Sequence, residues 1–510
     1  MKASGPPFVI LLPALLLCLT RQATGQTETP DWLLRAHEHQ NFLGYDRPVD
    51  TRTEPATHNS FTSDWNITSR SQFEVKTAQQ YNMTNQLKCL GVRRLELDPH
   101  YIEELQIGDD IDSAIHLCHI RPSTASIIST FCGTFTWEYC EGVGIFDYGA
   151  DTGCRNDSST LTQGFEEIAA WLLDDQNKME ILGIKLDSFV DGAADRVSAI
   201  AADVFGVETI FSPAHLEAFR NSTNGTGWPT PAQLLDEGTR LMIVGEEPSE
   251  LVFDINNDPN EVIISPENFN DATCNDVLGL PEPSWTYLQG NVEEFSAAFS
   301  SERFGTVTIF EEVPDPDEAV TEENAPKAML CGLTPAFDRM NASLLNSTIW
   351  SWSEGRPKVG FQRPRAAIVS AADGRWTDTG VSSKHPYACR QKDDRNSWNV
   401  IAKRGKFSEA THECECLGEG YILGAPRTKK ENYELQLAME AVGVQTVWIA
   451  HTSKGDLGGS SACWAREGGP EYCVKEFDDT CSAVGPEPSE TVDGLLPLPE
   501  DISAFLSFLP

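Results

Sequence analysis

The feature that most constrains this chain is an alternation of short β-like runs with helical stretches between residues 50 and 355. The runs are Gly91–Asp98, Ile115–His119, Ile181–Asp187, Arg240–Gly245 and Thr306–Phe310, with helical patterns such as Gln163–Leu173 and Ala193–Phe205 between them. Alternation of this kind predicts a parallel α/β fold, and its commonest closed form is a TIM-like (β/α)8 barrel. Residues 26–49 read as an extended, polar N-terminal lead-in. From about residue 356 to 510 cysteines become denser and tryptophans recur (Trp376, Trp398, Trp448, Trp464), which predicts a smaller disulfide-rich α+β domain. No repeat with a period of 20–50 residues is visible.

Four segments end predicted strands with polar, reactive residues: Ala56–Phe61, Arg93–Asp98, His116–His119 and Ile184–Asp187. Strand alternation puts Glu96 and Asp98 on one face, opposite Leu95 and Leu97. Two neighbouring carboxylates facing a barrel interior are costly unless a cation balances them. The C-terminal ends of barrel strands form the catalytic face, and all four segments would deliver their polar groups there.

The chain has 510 residues, enough for two domains. Its 38 Lys and Arg against 77 Asp and Glu give a net charge of −39. Such a field repels phosphates and excludes a nucleic-acid partner, while supplying carboxylates for hard cations. Residues 1–25 read as a secretory signal peptide: Lys2, an apolar run from Phe8 to Leu19, then small residues at Ala23–Gly25. That run is too short to span a bilayer. The expected location is extracellular. Of 14 cysteines, Cys18 leaves with the signal, and most of the rest are expected to pair. Seven sequons, at Asn66, Asn82, Asn156, Asn221, Asn224, Asn341 and Asn346, predict a glycoprotein.

Together Thr57-His-Asn-Ser60, the strand Gly91–Asp98, a run ending in Cys118-His119 and a strand ending in Leu186-Asp187 resemble the catalytic X-domain of phosphatidylinositol-specific phospholipases C. Residues 227–244 look like a later part of the same domain in secreted microbial relatives. The resemblance covers roughly residues 50–355. It implies a secreted phosphoric diester hydrolase, acting on a phospholipid or related phosphodiester with peripheral membrane contact. His58 and His119 match the catalytic pair, with His116 the rival of His119. Arg93 matches a phosphate-binding arginine, with Arg94 its rival. Asn59, Glu96, Asp98 and Asp187 match the ligands of calcium-dependent members, so Ca²⁺ is the implied cofactor. Lys185 shares a face with Asp187 and is the alternative cation in place of the metal.

The C-terminal region resembles a C-type lectin-like fold more weakly. Lys406–Cys414, Glu431–Leu437 and Val447–Ile449 look like its first half, whereas Trp350–Pro357, Gly374–Trp376 and Pro386–Cys389 look like its second half and come earlier. This implies glycan contact as one role for that domain. The competing function is a non-catalytic secreted binding or adhesion protein that keeps the barrel as a scaffold.

Overall fold

The computed structural model describes residues 29–63, 73–74, 78–101, 112, 115–118, 158–187, 194–225, 227–245, 248–254, 263–264, 287–289, 296–301, 305–311, 319–358, 363–454, 463–466 and 471–473. The expected signal peptide and His119 lie outside these residues.

Eight strands form one parallel sheet: β1 (Ala56–Thr57), β2 (Arg94–Leu97), β3 (Leu182–Leu186), β4 (Leu241–Gly245), β5 (Val252–Asp254), β6 (Ile263–Ile264), β7 (Tyr287–Gln289) and β8 (Thr334–Phe337). Their lateral order is β5-β4-β3-β2-β1-β8-β7-β6, with every recorded pairing parallel. This is chain order written around a ring and opened between β5 and β6. No β5–β6 pairing occurs among the described residues.

β2, β3 and β4 are buried along their whole lengths, because both faces of the sheet are covered. Leu95, Leu97, Leu182, Ile184, Leu186, Leu241 and Ile243 pack in one apolar cluster with Phe165 and Ile168 of the helix Leu161–Leu172 and Ile200 and Phe205 of the helix Ala194–Phe205. Helix α1 is Asp31–Leu43, α2 Met83–Cys89, α3 Leu161–Leu172 and α4 Ala194–Phe205. The start of α3 is fixed by a capping box in which Thr160 and Gln163 satisfy each other's backbone N–H. The apolar spacing of α3 puts Leu161, Phe165, Ile168, Ala169 and Leu172 on its buried face.

Two of the sequence-predicted strands join other sheets. Ile115–Leu117 pairs antiparallel with Pro99–Tyr101, setting His116 opposite His100. Gly305–Glu311 pairs antiparallel with Ser296–Ser301. A short apolar run signals a strand but not its partner, so the period alone could not separate these from the parallel set.

The lead-in is a correction. Residues 31–43 are not extended but form α1, whose buried face carries His37, His39, Gln40 and Asn41 beside Leu33, Leu34, Ala36 and Leu43. Hydrogen bonds of the polar residues supplement the apolar packing there. Gln40 donates through Nε2 to Thr348 O at 3.0 Å and accepts through Oε1 from Trp350 N at 2.7 Å. Trp352 Nε1 donates to His39 Nδ1 at 2.6 Å, and His39 Nε2 lies 2.9 Å from His451 Nε2. Gly91, at φ +62°, lies against the His37 ring so closely that a Cβ would come within 2.3 Å of it.

Beyond residue 363 the sheet is mainly antiparallel, in the order β10-β9-β14-β11-β12, where β9 is Arg365–Ser370, β10 Trp376–Gly380, β11 His385–Gln391, β12 Trp398–Gly405 and β14 Thr446–Lys454. Strand β13 (Tyr421–Leu423) pairs with β11. Cys389 and Cys414 form a disulfide here. The apolar cluster that includes Leu33 and Phe165 continues through Trp352, Leu435, Val447 and Trp464, so the core crosses the expected boundary at 355 without a break. No helix among the described residues is long and apolar enough to cross a membrane.

Candidate active site

The parallel register builds the site. Ala56 lies opposite Ala336 on β8 and Arg94 on β2, and Glu96 lies opposite Lys185 on β3. Two residues further along, the same face carries Asp338, His58, Glu96 and Lys185 side by side across four adjacent strands. His58 Nδ1 lies 2.9 Å from Asp338 Oδ1, and its Nε2 lies 3.5 Å from Glu96 Oε2. Lys185 Nζ donates to Glu96 Oε1 at 2.6 Å. The row therefore alternates carboxylate, imidazole, carboxylate and ammonium. Asp98 and Asp187 follow Glu96 and Lys185 by two residues, and Lys185 Nζ also reaches Asp187 at 3.3 Å.

The backbone around His58 is held from below and behind. Gln79 Nε2 donates to both His58 O at 2.7 Å and Phe337 O at 2.8 Å, tying the ends of β1 and β8 together. Ser60 Oγ accepts from Glu96 N at 3.0 Å and donates to Thr57 O at 2.9 Å. Asn59 adopts φ +46°, a left-handed conformation that Asn tolerates better than most residues. In that turn its backbone N–H donates to Glu96 Oε2 at 3.1 Å. Its side-chain amide lies 3.2 Å from His58 Nε2.

Electrostatics follow from these contacts. Burial opposes the charged form of His58, but the adjoining Asp338 and Glu96 carboxylates outweigh it and raise its pKa to about 10. Burial works against ionised Glu96, yet Lys185 and then His58 hold its pKa down at about 2. Burial, with Glu96 and Asp187 adding repulsion, lifts Asp98 well above the ordinary carboxylate range. Asp187 rises to about 6, driven by burial and only partly offset by Lys185. At neutral pH the row thus presents the His58 imidazolium and the Lys185 ammonium held between carboxylates, with Asp98, which burial and its acidic neighbours make harder to ionise, beside them. With the ring charged, both imidazole nitrogens donate, and the Asn59 amide accepts only with its oxygen turned toward Nε2.

Among the sequence-predicted residues, His58, Asn59, Glu96, Asp98, Asp187 and Lys185 come together. Arg93 does not join them. It precedes β2, at the opposite end of the strand, where Nε donates to Glu180 at 2.9 Å and the guanidinium stacks over Trp171. Its rival Arg94 donates to Arg52 O at 3.1 Å, also on the far side of Glu96. His116 Nδ1 lies 3.0 Å from Ser158 O, in the side hairpin. His119 falls outside the described residues. Its predecessor, Cys118, donates its backbone N–H to Asp98 O at 3.2 Å.

Several of the oxygens that calcium would take are already engaged by protein groups. The ion takes six to eight oxygens, but Lys185 Nζ sits against the Glu96 and Asp187 carboxylates, and Asn59 N and His58 crowd the second Glu96 oxygen. Among the described residues no group of three or more His, Cys, Asp or Glu side chains is disposed to hold a metal ion.

Nothing in the sequence signals Asp338 or Gln79, and Ser60 stands out there only as part of the Thr57–Ser60 segment, not as the residue that ties Glu96 N to Thr57 O. Asp338 ends a strand just as Asp98 and Asp187 do, but Pro335 inside Thr334–Phe337 hides that strand, since proline is rare within sheets. The chain matches no known protein-family profile. It also matches no curated protein sequence.

Proposed function

We propose that the chain is a secreted phosphoric diester hydrolase of the phospholipase C type, with His58 as its acid. The observation that carries this is the row Asp338–His58–Glu96–Lys185 at the C-terminal ends of parallel strands. A histidine protonated at neutral pH can hold an anionic phosphodiester oxygen and then release a proton to a leaving alkoxide. In the reaction implied by the resemblance, a neighbouring hydroxyl of the substrate forms a bond to phosphorus while the bond to the leaving oxygen breaks. The hydroxyl proton passes to His119 and the leaving oxygen takes its proton from His58. Lys185 supplies the fixed positive charge that calcium supplies elsewhere, and the cyclic strand order supports closure of the barrel between β5 and β6.

The test is cleavage of phosphatidylinositol vesicles, a glycerophosphodiester and sphingomyelin by the purified mature protein, with and without excess EGTA. The reading expects cleavage of at least one, retained in EGTA and lost in His58→Ala. Loss on chelation, restored by Ca²⁺, would return the metal to the mechanism. No cleavage of any phosphodiester, with binding to glycans or vesicles, would favour the adhesion reading.

A further inference from the structure

The N-terminal segment and the C-terminal sheet border a partly open pocket of about 40 Å³, lined by Leu43, Arg390, residues 422–427 and Ala450. By the usual requirement of about 10–15 Å³ per water, this is room for roughly three waters or one small polyatomic ion. None of its walls belongs to the His58 row.

Arg390 distinguishes this space. It is 6% exposed, yet it makes no ion pair among the described residues. Its Nη1 donates to Gln391 O at 3.0 Å, and to Lys392 O at 3.5 Å. The remaining guanidinium N–H groups find no protein acceptor among the described residues, and Arg390 lines the pocket. The neighbouring arginines are satisfied differently. Arg427 and Arg395 both pair with Asp46, and Arg47 pairs with Glu431. Four guanidinium groups thus gather around Asp46, Glu431 and the exposed Asp394 in a protein of net charge −39. Burial lowers the pKa of Arg390, Glu431 opposes this, and Arg395 and Arg47 add to the lowering. Gly424 lets the backbone close in, because a Cβ there would come within 2.8 Å of both Arg390 and Trp398.

A buried cation with no direct ion pair and a fork only partly hydrogen-bonded is costly, and a guanidinium fork matches two oxygens of one anion. We propose that this cavity binds a small oxyanion, of the size and chemistry of phosphate, sulfate or a carboxylate group. Arg390 is its main ligand and Arg427 stands beside it. Leu43 belongs to α1, whereas Arg390 and Ala450 belong to β11 and β14, so the bound ion stabilises the docking of the N-terminal helix on the C-terminal sheet by mass action.

The experiment is thermal unfolding of the full mature chain in phosphate, sulfate or acetate, each titrated against chloride at matched ionic strength. Wild type is expected to show a saturable rise in Tm with at least one of the three, and the choice among them separates phosphate-like from carboxylate occupants. Arg390→Met and Arg390→Lys, the second keeping the charge but losing the fork, should bind at least tenfold more weakly. If Arg390→Met fails to fold, Arg390→Lys carries the comparison. His58→Ala should respond as wild type does, which separates this cavity from anion binding in the active site. The proposal is overturned by the lack of any saturable response in wild type, by an undiminished response in Arg390→Lys, or by a response lost in His58→Ala.

Discussion

Two buried histidines of this protein behave in opposite ways. His58 is 6% exposed and is driven toward the charged form, to a pKa of about 10, by Asp338 and Glu96. His39 is fully buried between Trp352, Trp464 and His451, and burial, with His451 adding repulsion, holds its pKa well below the ordinary value. Trp352 only donates, so His39 Nδ1 accepts, its Nε2 carries the proton, and His451 Nε2 receives it. Burial alone therefore decides neither charge nor role. Neighbours do, and only carboxylates across the ring make a buried imidazole a standing cation.

The same comparison fixes the pH dependence of stability. The folded pKa of His58 lies above the unfolded 6.5, so its contribution is full below pH 6.5 and is lost as the pH rises toward about 10. The folded pKa of His39 lies below 6.5, so its contribution is present above that value and is lost as the pH falls. His37, lowered to about 3 chiefly by burial and then by Arg93, adds to the acid side.

The comparison breaks most visibly at Asp338. Asp338→Asn removes the strongest support for the charged ring, and cleavage should fall on the order of 10²-fold or more, through kcat rather than KM. An undiminished kcat would remove His58 from proton transfer. Next in size is Lys185→Met, which leaves Glu96 buried without its ammonium and should cost about 3 kcal/mol in chemical denaturation. A variant as stable as wild type would mean that Glu96 does not depend on that ion pair. His451→Phe takes away the acceptor for His39 and should cost about 2 kcal/mol. It should also flatten the fall of Tm between pH 6.5 and 5, and an unchanged slope would place the acid sensitivity elsewhere. The smallest effect is expected for Arg93→Lys: about 1 kcal/mol of stability from lost hydrogen bonds to Leu87 O and Val92 O, with kcat unaltered. A drop in kcat would bring Arg93 back toward the chemistry.

What was legible in the sequence follows from which signals are local. β2 and β3 announce themselves by alternation, and their register then brings Glu96 beside Lys185, as two inward carboxylates in need of a cation require. The partner of His58 was not legible, because Asp338 is 280 residues away and its strand contains Pro335. Helix α1 was hidden for a different reason. Its buried face mixes the apolar Leu33, Leu34, Ala36 and Leu43 with the hydrogen-bonded His37, His39, Gln40 and Asn41, and those polar residues mask the hydrophobic period.

The most direct measurement is the protonation state of His58 itself, followed through its ring nitrogen shifts by NMR from pH 6 to 10, with His58→Ala used for assignment. The account expects both ring nitrogens to stay protonated through pH 8 and to lose a proton only near pH 10. A ring that titrates near pH 6.5, as an ordinary histidine does, would contradict it.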